Sequence, residues 1–399
     1  MKPIAFIALA GAAAMATSLH GADASVEERL RKLETQVDNL QRENSALKQQ
    51  LGWDGKSDLP LVKPGGKENK LKLGGYLQAQ GEFGSAPDSR YTGINDRFLV
   101  RRARVNVAGS FAENFDFKAE VDIGNNAVGA TSSANWKPAA TDVFINWNRY
   151  EFANVKAGQF KTPFGYSQLL SDTKIPFIER FLANDRMTDG RQIGVAVWGQ
   201  VLPKRLDYNF GVFNGGSVNT GGNDNDNFMY AGRIGGTPFT GTLFNRESTL
   251  SFGVNALQDH GVGAAKAGFG FTGNSFTGRR HGLGADFEFH LGRVELSGEY
   301  LFNHFTPDDA VPFSKVEAHG FQLSGGYYIV AKKLVARLRY DSFDPNSDVS
   351  GNSADTWTVG LTYFIKGEDL RLDLNYMLGS TPGQPDDKGR LIGRAQLVF

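Results

Sequence analysis

The residues of this chain best suited to chemistry are arginines and lysines that recur at even spacings: Arg102 and Arg104, Arg337 and Arg339, Arg390 and Arg394, with Lys118, Arg233 and Arg371 in similar settings. Strand side chains alternate between two faces, so this spacing gathers the charges on one surface and the intervening apolar residues on the other. Guanidinium and ammonium groups on a shared wall coordinate anions. They donate charge-assisted hydrogen bonds that replace water, and no bond is made or broken. The same faces carry Glu82, Glu120, Asp122, Asp286, Glu288, Glu295, Glu299, Asp341 and Asp373. The two signs balance, so solvation and wall rigidity are the plain alternative. Selectivity then has to come from clustering at a constriction, where fields are focused.

The connection 164–190 is the candidate constriction. It holds an apolar, helix-like run from Ser167 to Asn184 with Leu169, Leu170, Ile175, Phe177, Ile178, Phe181 and Leu182. A loop in open water has no use for these residues, so the segment is expected to tuck inward and pack on a wall. Lys161, Lys174, Arg180, Arg186 and Arg191 flank it or lie on it, against Asp172, Glu179, Asp185 and Asp189. Two readings of Glu179 and Arg180 stand side by side: ion pairs that pin the loop, or charges that face a pore.

Enzyme motifs are absent. The scattered histidines form no H-E-x-x-H, and no G-x-S-x-G occurs. Gly55-Lys56-Ser57 lacks the first glycine of a phosphate-binding loop, because position 50 is Gln50. Asp344, Asn346, Asp348 and Asp355 match a calcium loop only in part, with Val349 where the turn glycine belongs. Asp224 and Asp226 are weaker still, and Gly261–Gly270 reads as an external loop. No cofactor or metal is expected. The net charge is zero, which gives no support to nucleic-acid binding, and there is no cysteine.

The elements that must position these charges are strands. Composition is 40% hydrophobic with 49 Gly and 30 Phe, which suits a barrel with tight bends and aromatic girdles. Leu370, Leu372, Leu374, Tyr376 and Leu378 oppose Arg371, Asp373 and Asn375. Leu391, Gly393, Ala395, Leu397 and Phe399 oppose Arg390, Arg394 and Gln396. About sixteen such segments follow one another from Leu71 onward, an even number that suits a bacterial barrel. They lie near 71–83, 98–111, 115–125, 140–150, 153–163, 191–201, 206–216, 228–239, 248–260, 279–292, 294–305, 317–330, 334–344, 355–367, 370–380 and 389–399. Short turns (112–114, 203–205, 331–333, 367–369) alternate with long connections, as periplasmic turns alternate with external loops. Charge on the lipid face costs about 2–4 kcal/mol at mid-membrane, so the charged faces belong to the lumen. Two soluble β-sandwiches would alternate as well, but they leave the turn–loop asymmetry unexplained. No mature stretch approaches the about 18 consecutive apolar residues of a membrane helix.

Ahead of the barrel, residues 1–24 read as a secretory signal, with Lys2, the apolar stretch Ile4–Met15 and the small-residue site Ala22-Asp23-Ala24. Residues 25–52 read as a coiled-coil stalk. Leu30, Val37, Asn44 and Leu51 fall at a, and Val26, Leu33, Leu40 and Leu47 at d. Arg29 with Glu34 and Glu43 with Lys48 favour parallel chains, with dimer and trimer both open. Residues 53–70 read as a linker.

Several segments resemble the phosphate-selective porin O and P family. They are Phe98 to Gly124, GQFKTPFG at 158–165, Phe177-Ile178-Glu179-Arg180, GRQIG at 190–194, GVFNG at 211–215 and AGRIGGTPF at 231–239. The likeness runs over about 70–399 and its specific motifs lie in the first half. It implies a trimer of sixteen-stranded outer-membrane barrels with an inward third loop that pass small anions, phosphate or polyphosphate in the best-known members. Lys161, Arg180 and Arg191 lie in matched motifs. The implied setting is the bacterial outer membrane, with lipid around the barrel, and the stalk read from the heptads would then lie in the periplasm. Three functions are in play: a passive anion porin, a general porin for neutral or mixed solutes, and an envelope tether with a plugged barrel.

Overall fold

A computed structural model of the chain describes residues 31–32, 35–37, 39, 70–124, 128, 138–202, 205–216, 218–223, 225–262, 269, 277–308, 314–380, 382 and 388–399. The signal segment 1–24, most of the coil 25–52, the linker up to residue 69, Asp224 and most of the Gly261–Gly270 loop lie outside the described residues. Within the first unit, Met1–Lys63, residues 31, 32, 35–37 and 39 are helical, and Val37 is half exposed.

The second unit, Pro64–Phe399, is built of antiparallel strands. In chain order they are β1 (Lys70–Gly84), β2 (Arg97–Phe111), β3 (Phe115–Asp122), β4 (Ala139–Tyr150), β5 (Ala153–Lys161), β6 (Arg191–Leu202), β7 (Leu206–Phe213) and β8 (Met229–Leu243), followed by β9 (Arg246–Val262), β10 (Thr277–Leu291), β11 (Val294–Pro307), β12 (Val316–Val330), β13 (Leu334–Asp344), β14 (Ala354–Lys366), β15 (Leu370–Ser380) and β16 (Lys388–Val398). Each strand pairs with its sequence neighbours and β1 pairs with β16, so the sheet closes into a barrel with no free edge. At the seam, Gly75 N donates to Phe399 O (2.9 Å) and Phe399 N to Gly75 O (3.0 Å). A Cβ on Gly75 would lie 2.4 Å from Arg104 O and 2.7 Å from the Phe399 ring, so only glycine lets the terminal ring approach here.

The alternation read from the sequence separates the two faces. On β15, Leu372, Leu374 and Tyr376 are 46–47% exposed, while Arg371, Asp373 and Asn375 are 1–6% exposed. Outward apolar and inward polar side chains are the reverse of a soluble core. They fit a hydrocarbon exterior and a wet interior. No helix among the described residues is long and apolar enough to cross a membrane.

Two expectations are corrected. Strands expected to end at 239 and restart at 248 run on to a tight hairpin, because Gly241, Thr242 and Leu243 pair with Ser248, Glu247 and Arg246. Its turn is Phe244-Asn245 alone, both residues at positive φ (50° and 59°), as a primed hairpin turn requires. The helix-like run Ser167–Asn184 is not one helix. It forms only α1 (Tyr166–Leu169) and α2 (Leu182–Met187), with irregular chain between them. Pro176 removes one donor from that stretch, and the carbonyls that a helix would use internally are taken by side chains of the barrel wall.

Candidate functional site

The segment between β5 and β6 lies against inward-facing side chains of strands far apart in sequence. Phe181, Leu182, Ala183 and Met187 pack with Leu301, Phe305, Ala318 and Phe343 of β11–β13. Ile178 packs with Tyr91, Met377 and Ile392. Burying these side chains opposes the entropy of ordering a long loop. Polar contacts then set its path. Arg371 donates to Ile175 O (3.1 Å), Arg337 to Pro176 O (3.2 Å), Arg339 to Glu179 O (3.0 Å), Arg90 to Arg180 O (2.9 Å), Gln396 to Thr173 O (3.0 Å) and Gln78 to Asp172 O (3.0 Å).

Two loop carboxylates are the strongest ties. Asp172 meets Arg180 (2.7 Å), Arg104 (2.8 Å) and Arg102 (3.6 Å). Glu179 meets Arg394 (2.6 Å), Arg101 (2.9 Å) and Arg102 (3.9 Å). Burial by itself would raise both acids, yet the surrounding guanidiniums hold both well below the usual carboxylate range. Removing one partner from such a buried set costs about 3–5 kcal/mol, because the charges left behind are stranded.

The structure therefore sorts the candidate residues. Arg102, Arg104 and Arg180 converge on Asp172, with Lys161 close by donating to Leu170 O (2.6 Å). Lys118 (3.1 Å) and Arg191 (2.7 Å) converge on Asp142, and Lys118 also meets Glu120 (2.9 Å). Arg337 pairs with Glu295, Arg339 with Asp341 (2.9 Å) and Arg394 with Glu179. Arg233 stands apart on β8, paired with Asp286 (2.5 Å) beneath the Tyr166 ring. Arg186 is exposed and, among the described residues, bonds Ser89 alone (3.1 Å). Lys174 is exposed, with no ion pair among the described residues.

Four contributors escaped the sequence reading. Arg101 turns inward beside Arg102 because the β1–β2 register slips there: Gln78 pairs with Arg102 and Ala79 with Val100, leaving Arg101 as the extra residue of a bulge. Arg90 sits in a short 3-10 turn capped by Asp88 and reaches the loop at Asp185. Arg280 pairs with Asp189 and Asp259. Lys156 of β5 lies over the rings of Phe144 (4.6 Å), Phe160 (5.4 Å) and Trp198 (5.5 Å), with no ion pair among the described residues. The alternation Asn154, Lys156 against Val155, Ala157 already pointed Lys156 inward.

Two cavities flank the loop. One of about 230 Å³ is lined by Tyr76, Arg104, Lys118, Lys161 and Arg191 together with Glu120, Asp142, Asp172, Leu169 and Ser171. The other, about 180 Å³, includes Lys174, Arg337 and Arg371 opposite Glu288, Glu295 and Glu368. Both are charged spaces with donors in place for an oxyanion.

The family profile for phosphate-selective porin O and P matches residues 73–399, which is nearly the whole barrel unit. The chain belongs to this family. Among solved structures the porin is similar to an anion-selective porin from Comamonas acidovorans (14% identity, TM-score 0.59, 83% of this chain and 100% of that one). It is also similar to the outer membrane channel DcaP of Acinetobacter baumannii (14%, 0.58, 84% and 99%) and to the trimer form of OmpT of Vibrio cholerae (11%, 0.54, 84% and 100%). At these identities the likeness is one of fold. No curated protein sequence matches the chain. Family and fold place the porin in the outer membrane as a channel.

Proposed function

We propose that the porin conducts small inorganic anions, phosphate among them, along the path bordered by Lys156, Lys161, Lys118, Arg191 and Lys174. The observation that carries this reading is the division of labour among cations. Most inward arginines are spent on carboxylates and loop carbonyls, while Lys156 and Lys174 have no ion pair among the described residues and Lys161 commits one of its three donors, to Leu170 O. The cavity beside Tyr76 has four basic side chains (Arg104, Lys118, Lys161, Arg191) against three acids (Glu120, Asp142, Asp172). A narrow, low-dielectric space amplifies that excess, and ammonium groups on flexible stems exchange ligands quickly enough to let an anion leave.

Planar-bilayer reversal potentials across a salt gradient test the reading. Anion-over-cation permeability is expected, and cation preference would end it. Because Glu120 and Asp142 share the cavity, a general porin for mixed solutes is the second reading. Millimolar phosphate that blocks chloride current supports the first, and unaltered current supports the second. The heptad seam of 25–52 and the trimer form of the OmpT relative support a homotrimer with its coil in the periplasm. Cross-linking in native membranes checks this.

A further inference from the structure

The outer surface carries a feature that conduction does not use. On the lipid-facing side of β6–β10 a groove of about 690 Å³ opens, within the range of ligand clefts, about 300–1,000 Å³. Its floor is made by two small outward residues that sit side by side across the β8–β9 pair, Gly232 and Ala256. Its walls are the exposed side chains of Phe210, Tyr230 and Leu283.

The groove ends in a polar patch at the end of β9 and β10 where the long connection 263–276 lies, the external side of such a barrel. His281 pairs in register with Gln258, and Arg279 with His260, one row further out. Arg279, His281 and Gln258 are exposed on the outward face, and none has a hydrogen-bond or ion-pair partner among the described residues. Below them Leu283, Ala285, Phe287 and Phe289 continue the apolar band. A cation at headgroup depth, directly above an apolar trough, complements one kind of molecule: an amphiphile with a negative head and a hydrocarbon tail.

We propose that this groove is a specific site for a phosphorylated lipid of the outer leaflet, whose headgroup meets Arg279 and His281 and whose acyl chain lies over Gly232 and Ala256. Native mass spectrometry of the full-length porin in non-ionic detergent tests it, with dipalmitoyl phosphatidate as probe, dipalmitoylglycerol as its phosphate-free control and inorganic phosphate as competitor. One phosphatidate per chain is expected, with binding weakened about tenfold or more by Arg279→Glu with His281→Glu, and likewise by Ala256→Phe, which fills the trough. Single-channel conductance of each variant should stay at the wild-type value, which also shows that the barrel has folded. Wild-type binding in both variants would overturn the proposal. So would equal binding of dipalmitoylglycerol, or displacement by inorganic phosphate. Loss of oligomer in Ala256→Phe with lipid binding intact would assign the groove to a second copy of the chain instead. None of these outcomes depends on which ion the lumen prefers.

Discussion

Two arcs of the inner wall carry positive charge and use it in opposite ways. The arc of β13–β16, β1 and β2 is rich in arginine: Arg337, Arg339, Arg371, Arg394, Arg101, Arg102 and Arg104 each meet a carboxylate, a loop carbonyl or both. The arc of β3–β6 offers Lys118, Lys156 and Lys161 with Arg191, and among the described residues Lys118 and Arg191 alone are ion-paired. The planar guanidinium fork suits fixed bidentate contacts and stays charged when buried, whereas an ammonium is a mobile point charge. A basic residue in a barrel lumen is thus no indicator of transport by itself. What matters is whether its donors are already committed.

The largest effect expected from breaking this contrast is at Glu179. Glu179→Ala strands Arg101 and Arg394 and should cost the docked loop about 3–5 kcal/mol, seen as a several-fold rise in conductance and new protease cleavage within 164–190. If conductance and cleavage both stay at wild-type levels, the loop is not held as described. On the lysine side, Lys156→Glu should leave the loop docked, since Lys156 holds no loop carbonyl among the described residues, but turn the reversal potential towards cations, a change of about tenfold or 1.4 kcal/mol in relative permeability. A single charge-conserving change on the arginine arc, Arg339→Lys, should alter stability more than selectivity, read as a lower melting temperature with an unchanged reversal potential.

Acid sharpens the comparison further. The folded carboxyls of Asp172 and Glu179 lie below their unfolded values of about 4, so their stabilisation is fully present above that pH and fades as pH falls towards the depressed folded values. Loop docking should therefore survive acidification through pH 5 and weaken only below about 4, followed by proteolysis with an acid protease. Release at pH 6 would contradict it. The smallest effect belongs to Arg186→Ala, whose exposed side chain bonds Ser89, with a change within about 0.5 kcal/mol.

Most of the barrel was legible because a strand in a two-solvent wall has a strict period of two, as β15 and β16 show residue by residue. The periodicity fails at irregularities. The slip that turns Arg101 inward leaves no mark in the local pattern, since Arg101-Arg102 reads as one residue in and one out. The path of the loop was hidden for a different reason. Its apolar residues announced burial, but whether Ser167–Asn184 would be one helix depended on wall donors such as Arg371 and Arg337 competing for its carbonyls. Those partners lie more than a hundred residues away. Lys156 was readable from its own strand, and only its aromatic surroundings, supplied by β4 and β6, distinguish it.

Glu179 reaches Arg101 on β2 and Arg394 on β16, side chains 78 and 215 positions distant, and so bridges the two strands that flank β1. The joint where the first and last strands meet is thereby splinted from within by a segment from the middle of the chain. Because its two anchors stand on either side of the joint, the splint is complete only in a shut cylinder, and the closure of the wall and the narrowing of the passage support one another.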